Sequence, residues 1–250
     1  MTDIWAAVGA QAPVVELAGD FVRLVESQEQ IATNRLVDTL EEQALLESLL
    51  ESSKPPLPQA ARGLHYLLAT PFRYPPLRHG SRFGGHFEPS LFYAAFDAAT
   101  VLAESAYYRF VFWHGMAVAP ASPLASQHTL FGAPWRCARG VQLQCPPFDH
   151  WREPLTDPED YTATQRLGTA MRQAGVEAFE YISARDPAGG LNVALFTPMA
   201  LAARRPDFMQ AWLAETDAGE VRFYCQEERL VHRFPLGQFL VAGRLPMPAV

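Results

Sequence analysis

The sequence predicts an α+β fold with a mixed or antiparallel sheet at its core, and three observations support this class. Short apolar runs bounded by turn residues alternate with segments of helical periodicity. Two pairs of these runs are joined by short turns, at residues 186–190 and 227–229, which is typical of hairpins. Neither a GxGxxG nor a GxxxxGKS/T motif occurs, so neither a Rossmann fingerprint nor a P-loop is supported.

The N-terminal part, residues 1–58, is predicted to be an acidic helical extension that precedes a main domain at residues 59–250. Apolar residues recur at three- and four-residue steps from about residue 14 to residue 52, and Thr33 or Asn34 is predicted to cap a second helix. The proline-rich residues 55–58 end this helix and mark a linker. The extension packs either on the main domain or on a partner, and the pattern leaves both open.

The predicted elements of the main domain follow in order along the chain. A strand is predicted at residues 91–95, and Asp97 is predicted to cap a helix that runs to about Trp113 and stops at Gly115. The later elements are a strand at 141–145, a helix at 157–174 followed by Gly175, two strands at 176–183 and 191–196, and a final hairpin at 221–226 and 230–234.

Composition sets limits on the class of protein. With 250 residues, of which 49% are hydrophobic, the chain is long enough for one well-buried core. No apolar run reaches the roughly 18 residues of a membrane span, and the N-terminus lacks the basic start of a signal peptide, so we expect a cytoplasmic protein without membrane contact. The three cysteines form neither a CxxC pair nor an even set and are expected to be free thiols rather than metal ligands.

The charge of the chain is unevenly distributed. The formal net charge is −7, and the acidic residues are concentrated in residues 1–51. No Asp or Glu occurs between Lys54 and Phe87, a stretch that contains four arginines. A locally basic region in an acidic protein suits a small anionic ligand better than a nucleic-acid duplex, which needs a broad basic face. Scattered surface arginines are the alternative interpretation.

One set of polar residues carries the chemistry of the predicted domain. Arg73 precedes a glycine loop at residues 80–85 that contains Arg82, and the second turn of the following helix presents Glu104. About 80 residues later, Ser183 ends another strand-like run. Guanidinium groups bind phosphate through forked donors, and a carboxylate can hold ribose hydroxyls. The residues by themselves therefore predict a compact site for an anion and a ribose.

Arg73, Glu104 and Ser183, in that order, resemble the RES-domain family, which is named for these three residue types. The resemblance covers about residues 65–200. Its parts are the opening strand with the arginine at residues 71–74, the glycine–arginine loop at 80–85, and the serine strand with its partner at 176–196. The resemblance implies a fold like that of the ADP-ribosyltransferases.

The resemblance also implies that NAD is the substrate and that the bond between nicotinamide and ribose is cleaved. Glu104 would stabilise the positive charge that develops on the ribose, and Arg73 and Ser183 would be the other catalytic residues. Arg73 and Arg82 would bind the phosphates of NAD. Tyr93 would stack on the nicotinamide or its ribose, and Ser183 would hydrogen-bond the carboxamide or a ribose hydroxyl.

Several alternatives stay open at this stage. The resemblance implies an NAD glycohydrolase or phosphorylase that serves as the toxin of a toxin–antitoxin pair and is held inactive by an Xre-like antitoxin. An ADP-ribosyltransferase is the first alternative, and a non-catalytic NAD-binding or antitoxin-docking module is the second. Family members often have Gly-Gly-Arg-Trp where this chain has Gly85-His86-Phe87, so the loop contact is either Arg82 or His86. No metal cofactor is expected, and homo-oligomerisation is left open.

Overall fold

The computed structural model describes residues 3–27 and 37–247, which form an α+β fold around one eight-stranded mixed sheet. The strands are β1 (Val15–Glu26), β2 (Phe92–Ala95), β3 (Leu124–Gln142), β4 (Ala178–Ile182), β5 (Leu191–Leu195), β6 (Phe208–Thr216), β7 (Glu220–Cys225) and β8 (Leu230–Pro235). Their order is β1-β2-β5-β4-β3-β6-β7-β8, and β1 also pairs with β3, so β1 to β5 close into a ring. Only β3 and β4 pair in parallel within this described part. The predicted α+β class is confirmed.

The α-helices of the described residues are α1 (Ile4–Val8), α2 (Leu40–Ser53), α3 (Tyr66–Ala69), α4 (Ala98–His114), α5 (Arg152–Leu155) and α6 (Thr162–Gln173). Helix α4 begins and ends where the sequence predicts. The Asp97 side chain accepts a hydrogen bond from the Thr100 N–H, and Gly115 follows the last turn. Gly175, two residues after α6, has the left-handed φ of 75° that suits a residue following a helix.

The predicted helix is wrong over residues 14–26, because Val15–Glu26 forms strand β1, which pairs with β2 and β3 in the sheet. β1 pairs with β3 in antiparallel register from Val15 opposite Gly140 to Glu26 opposite His128. Both faces of β1 are covered, since Phe21 and Leu24 lie in different core clusters. Apolar residues therefore occur on adjacent positions, which mimics helical spacing. The predicted helix is confirmed over Leu40–Ser53, and the cap predicted at Thr33 or Asn34 lies outside the described residues.

The opening strand expected at residues 71–74 is also wrong. Helix α3 continues directly into a 3₁₀ turn at Thr70–Phe72, with a proline in its first turn, and Arg73 retains helical backbone angles. The strand predicted at residues 141–145 is the end of β3, which stops at Gln142 and begins much earlier, at Leu124. Residues 128–133 of β3 are all buried, so the alternation that marks a half-exposed strand is missing.

Helix α4 packs on one face of the sheet through its apolar residues. Leu102, Tyr107 and Phe110 are fully buried in a cluster that also contains Trp212 and Phe223 from β6 and β7. Burying such side chains contributes about 1.5–3 kcal/mol each, which fixes the rotation of the helix on the sheet. Because the rotation of α4 is fixed, the position of Glu104 relative to the sheet is fixed as well.

Other features of the structure concern chemistry outside the site. All three cysteines are free, with Cys137 and Cys225 buried. Residues 3–27 and 37–247 contain no cluster of His, Cys, Asp and Glu that could hold a metal ion. Over the same ranges, no helix is both long and apolar enough to span a bilayer.

The buried His128 on β3 predicts a loss of stability in mild acid. Burial, and secondly the nearby Arg109 guanidinium, lower the pKa of His128 to about 4. Below pH ~6.5 the unfolded chain binds a proton that the folded protein does not, so stability falls as the pH drops from about 6.5 towards 4, by at most roughly 3 kcal/mol.

Urea titrations at pH 7, 5.5 and 4.5 should show this loss for the parent protein. His128→Gln cannot titrate, so its free energy of unfolding should fall less over the same range. Parallel pH curves for the two proteins would contradict the prediction.

Candidate active site

A cavity of about 270 Å³ opens between the strand ring and the N-terminal half of α4. Its walls come from β1, the glycine loop, β2, α4, the turn before α6, β4 and β5. The polar side chains among its lining residues are Arg23, Ser81, Arg82, Tyr93, Glu104, Ser105, Tyr108, Tyr161, Tyr181, Arg185 and Asn192. Three arginines thus surround one carboxylate, which is a strong local excess of positive charge in an acidic protein.

Glu104 is held at the cavity by two hydrogen bonds to one of its oxygens. Oε1 accepts from the Ser183 hydroxyl at 2.5 Å and from the Asn192 side-chain amide at 3.1 Å. Ser183 follows β4 and Asn192 lies in β5, so two neighbouring strands of the ring reach the helix at the same point. The structure therefore brings together Glu104 and Ser183, which are 79 positions apart in sequence.

Ser183 contacts the carboxylate of Glu104 and is not among the residues that line the cavity. Its Oγ also accepts hydrogen bonds from the backbone N–H groups of Arg185, at 3.1 Å, and Asp186, at 3.0 Å. The side chain is buried. This is a different environment from the direct contact with a ligand that the family resemblance implies.

The three arginines at the cavity have neutral partners. Arg23 Nη1 donates to the Tyr93 carbonyl, and Arg82 Nη1 donates to the Asp157 carbonyl at 2.9 Å. Arg185 Nη2 donates to the Pro158 carbonyl at 2.8 Å and to the Tyr161 hydroxyl at 2.9 Å. No carboxylate in the described ranges forms a salt bridge with any of the three. Their charge is available to an anionic ligand.

Arg23, like Arg185 and Asn192, is a functional candidate that sequence reasoning missed. Its Nε is buried and has no hydrogen-bond partner among the described residues, and its guanidinium lies 5.0 Å from the centre of the Phe92 ring. Burial lowers the pKa of Arg23 to about 10, so the group stays charged at neutral pH. The signal was available, since Arg23 is a rare basic residue in an acidic segment, but the helical interpretation of residues 14–26 removed it from the sheet.

Tyr93 supports the glycine loop from β2. Its hydroxyl lies 2.8 Å from the Ser81 Oγ and accepts from the Phe83 N–H at 3.1 Å. Burial raises the pKa of Tyr93 to about 12, so the hydroxyl remains protonated. The backbone conformation of the loop requires glycine at position 80, because φ there is 70° and a Cβ would lie 2.3 Å from the Gly84 carbonyl oxygen. Tyr93 also lines the cavity, and its stacking on a ligand stays a prediction.

Of the two candidates for the loop contact, the structure places Arg82 at the cavity. The Arg82 guanidinium also lies 4.6 Å from the centre of the Tyr161 ring, in a cation–π contact. His86 is exposed, with Nδ1 3.2 Å from the Leu77 carbonyl oxygen, and does not line the cavity.

Arg73 is not brought to the cavity. Its Nη1 donates to Glu51 Oε1 at 2.7 Å, and its Nε donates to the Pro55 carbonyl at 2.6 Å. The charge of Arg73 is therefore used to attach the end of α2 and the following linker to the main domain. The residue lies outside the lining of the cavity, to which Arg23, Arg82 and Arg185 contribute instead.

The family model of the RES domain matches residues 56–217, which is more than half of the chain, and the chain therefore belongs to the RES domain family. The matched range contains Arg82, Glu104 and Ser183 but not Arg23. A search of curated proteins finds no match.

Among solved structures, the chain is similar to a chain in the crystal structure of the M. tuberculosis MbcT–MbcA toxin–antitoxin complex. The TM-score is 0.49 at 10% sequence identity, and the alignment covers 87% of this chain and 94% of that chain. At this level of similarity no residue role is transferred from that complex.

Proposed function

We propose that the protein is an NAD-consuming enzyme that cleaves the bond between nicotinamide and ribose. The observation that carries the proposal is the cavity in which Glu104 lies among three arginines without carboxylate partners. A buried or half-buried cation without a counter-ion is costly to maintain, so a site that keeps three of them is suited to a polyanionic ligand. The pyrophosphate of NAD supplies that charge.

Each arginine suits the binding of a phosphate group. Arg82 and Arg185 use part of their donor capacity on carbonyl or hydroxyl oxygens, and Arg23 keeps a buried Nε without a partner among the described residues. A guanidinium has five N–H donors, so these groups retain donors for phosphate oxygens. The rings of Tyr161 and Phe92 contact the guanidinium groups of Arg82 and Arg23, and restricting these side chains before binding lowers the entropy lost when a ligand binds.

Glu104 is the group that would act on the ribose. Cleavage of the nicotinamide–ribose bond develops positive charge on the sugar, and a fixed carboxylate beside it lowers the energy of that transition state. The carboxylate accepts its hydrogen bonds from neutral donors, and no cation among the described residues forms a salt bridge with it. The proposal takes NAD as the substrate and assigns no role to a metal ion.

Release of nicotinamide is the decisive test of this proposal. The purified protein is incubated with NAD, with and without phosphate, and nicotinamide is measured by chromatography. We expect release in at least one condition; release without phosphate indicates hydrolysis, and release that depends on phosphate indicates phosphorolysis. If labelled NAD in a cell lysate instead marks a discrete macromolecule, the protein is an ADP-ribosyltransferase.

NAD that remains intact in all these assays would contradict the catalytic proposal. Calorimetry then tests the non-catalytic alternative, in which the cavity binds NAD without turnover. An NAD affinity in the micromolar range together with intact NAD would favour a binding module. No binding at all would contradict both functions.

We further propose that the protein is the cytoplasmic toxin of a toxin–antitoxin pair, with an Xre-like antitoxin as its partner. Membership of the RES domain family supports this role. Depletion of NAD would be the means by which the toxin stops growth. Expression of the parent chain should arrest growth and lower cellular NAD, whereas the inactive Glu104→Gln variant should do neither. Growth arrest with normal NAD levels would separate toxicity from the proposed chemistry.

A further inference from the structure

We infer that Ser183 and Asn192 are positioning residues, which together bind one oxygen of Glu104 and leave the other oxygen for the substrate. The inference rests on the proposed function and assigns to Ser183 a task other than contact with the ligand. It also assigns a role to Asn192, which has none in the sequence-based site.

The Ser183 hydroxyl has one proton and two lone pairs. Its oxygen accepts from the backbone N–H groups of Arg185 and Asp186, which occupy both lone pairs. The remaining proton therefore goes to Glu104 Oε1, at 2.5 Å, a distance typical of a hydroxyl bound to a carboxylate. The proton and both lone pairs of the Ser183 hydroxyl are therefore engaged within the protein, and none remains for a hydrogen bond to a ligand in this arrangement.

Asn192 supplies the second donor from a rigid position. It lies in β5, opposite Tyr181 of β4 and Ala95 of β2, so strands on both sides hold its backbone. The residue is buried, and its side-chain amide donates to the same Glu104 Oε1 at 3.1 Å. An asparagine in a strand of otherwise apolar residues costs desolvation, which its bond to the carboxylate offsets.

A third contact keeps the helix in register with these donors. Thr100, one turn before Glu104 on α4, donates to Asp186 Oδ2 at 2.9 Å. Gly190 permits this approach, because a Cβ at that position would lie 1.9 Å from the Thr100 Oγ1. The turn between β4 and β5 is thus attached to α4 at two successive helical turns.

The consequence is an asymmetric carboxylate. Both protein contacts go to Oε1, and within residues 3–27 and 37–247 no hydrogen bond reaches Oε2. Glu104 lines the cavity, so Oε2 is the oxygen available to the ribose. Fixing one oxygen removes rotation of the carboxyl group, and this preorganisation is what a transition-state contact requires.

A double-mutant cycle tests whether Asn192 acts through Glu104. Asn192→Ala should lower kcat for nicotinamide release by ~10-fold or more, while KM for NAD changes less than ~3-fold, since loss of orientation affects the transition state rather than binding. In the Glu104→Gln background the same change should cost almost nothing more. Independent, multiplying losses would overturn the inference, because they would show that Asn192 acts by another route.

Matched variants exclude a general loss of structure. Gln144→Ala removes an amide that donates to the Glu180 carboxylate at 2.7 Å, away from the cavity, and should leave kcat unchanged. Ser183→Ala should repeat the loss in kcat, and Ser183→Thr, which retains the hydroxyl, should recover most of it. If Asn192→Ala does not fold, Asn192→Ser is measured in its place.

A measurement without substrate keeps this inference separate from the proposed function. If the parent protein does not release nicotinamide, the proposed function fails, and the ¹⁵N–¹H signals of the Asn192 side-chain amide still report the contact. Glu104→Gln should shift these signals, whereas Glu180→Gln should not. Signals unchanged by Glu104→Gln would overturn the positioning role whatever the activity of the parent.

Discussion

Replacement of Glu104 by glutamine should lower the rate of nicotinamide release by ~100-fold or more while leaving the fold and the affinity for NAD close to those of the parent. The loss corresponds to about 2.7 kcal/mol or more, the scale for removal of one preorganised electrostatic group. Glutamine fits because both protein donors bind the same oxygen of Glu104. Its carbonyl oxygen can accept both bonds, and only the charge at the cavity is lost.

Glu180→Gln is the matched control for this experiment. Glu180 is buried, and its Oε2, like Oε1 of Glu104, accepts two hydrogen bonds, here from the side-chain amides of Gln142 at 2.8 Å and Gln144 at 2.7 Å. It does not line the cavity, so its replacement should leave turnover unchanged. Near-normal turnover of a folded Glu104→Gln variant would show that α4 does not contribute the catalytic carboxylate.

Replacement of Arg23 by methionine should weaken NAD binding by ~10- to 100-fold and affect stability little. A hydrogen bond to a charged group contributes about 1.5–3 kcal/mol, which corresponds to this range of affinity. The cost to the free energy of unfolding should not exceed about 1 kcal/mol, because the change removes one bond to the Tyr93 carbonyl but also a buried charge without a counter-ion. Calorimetry and urea unfolding measure the two quantities.

Two further arginines make this test specific. Arg136→Met removes an exposed arginine of β3, whose Nε lies 3.9 Å from Glu16, and should change neither affinity nor stability appreciably. Arg73→Met distinguishes the two assignments of the phosphate-binding arginine. If Arg73→Met abolishes NAD binding while Arg23→Met does not, the assignment based on the RES motif is correct and the one based on the cavity is wrong.

Local signals in the sequence were sufficient to predict pairs of elements that follow each other closely along the chain. The unit of β2 and α4 follows from an apolar run, an aspartate cap and a terminal glycine, and the structure confirms each. The hairpins β4–β5 and β7–β8 follow from short turns between apolar runs. The ends of these elements are marked by caps and turns that are close in sequence, so propensity and capping are informative there.

β1 and β3 were missed or misread because their stability comes from residues far away in the sequence. β1 pairs with a strand more than one hundred positions later, and β3 has neighbours on both sides, which buries its middle completely. Strands of this kind have no period-two pattern, and a short apolar run then fits a helix equally well. Only the hydrogen-bond ladder of the folded sheet resolves the ambiguity.

The sequence by itself indicated the family and four residues of the candidate site, since Arg82, Tyr93 and Glu104 line the cavity and Ser183 contacts Glu104. Only the tertiary structure decided that Ser183 binds the carboxylate, that Asn192 shares this task, and that Arg23 rather than Arg73 lines the cavity. The physical reason is that a side chain's task depends on the groups it meets in space. Arg73 pairs with Glu51 and is not among the residues that line the cavity, whereas Arg23 lines the cavity and forms no salt bridge with a carboxylate of the described residues.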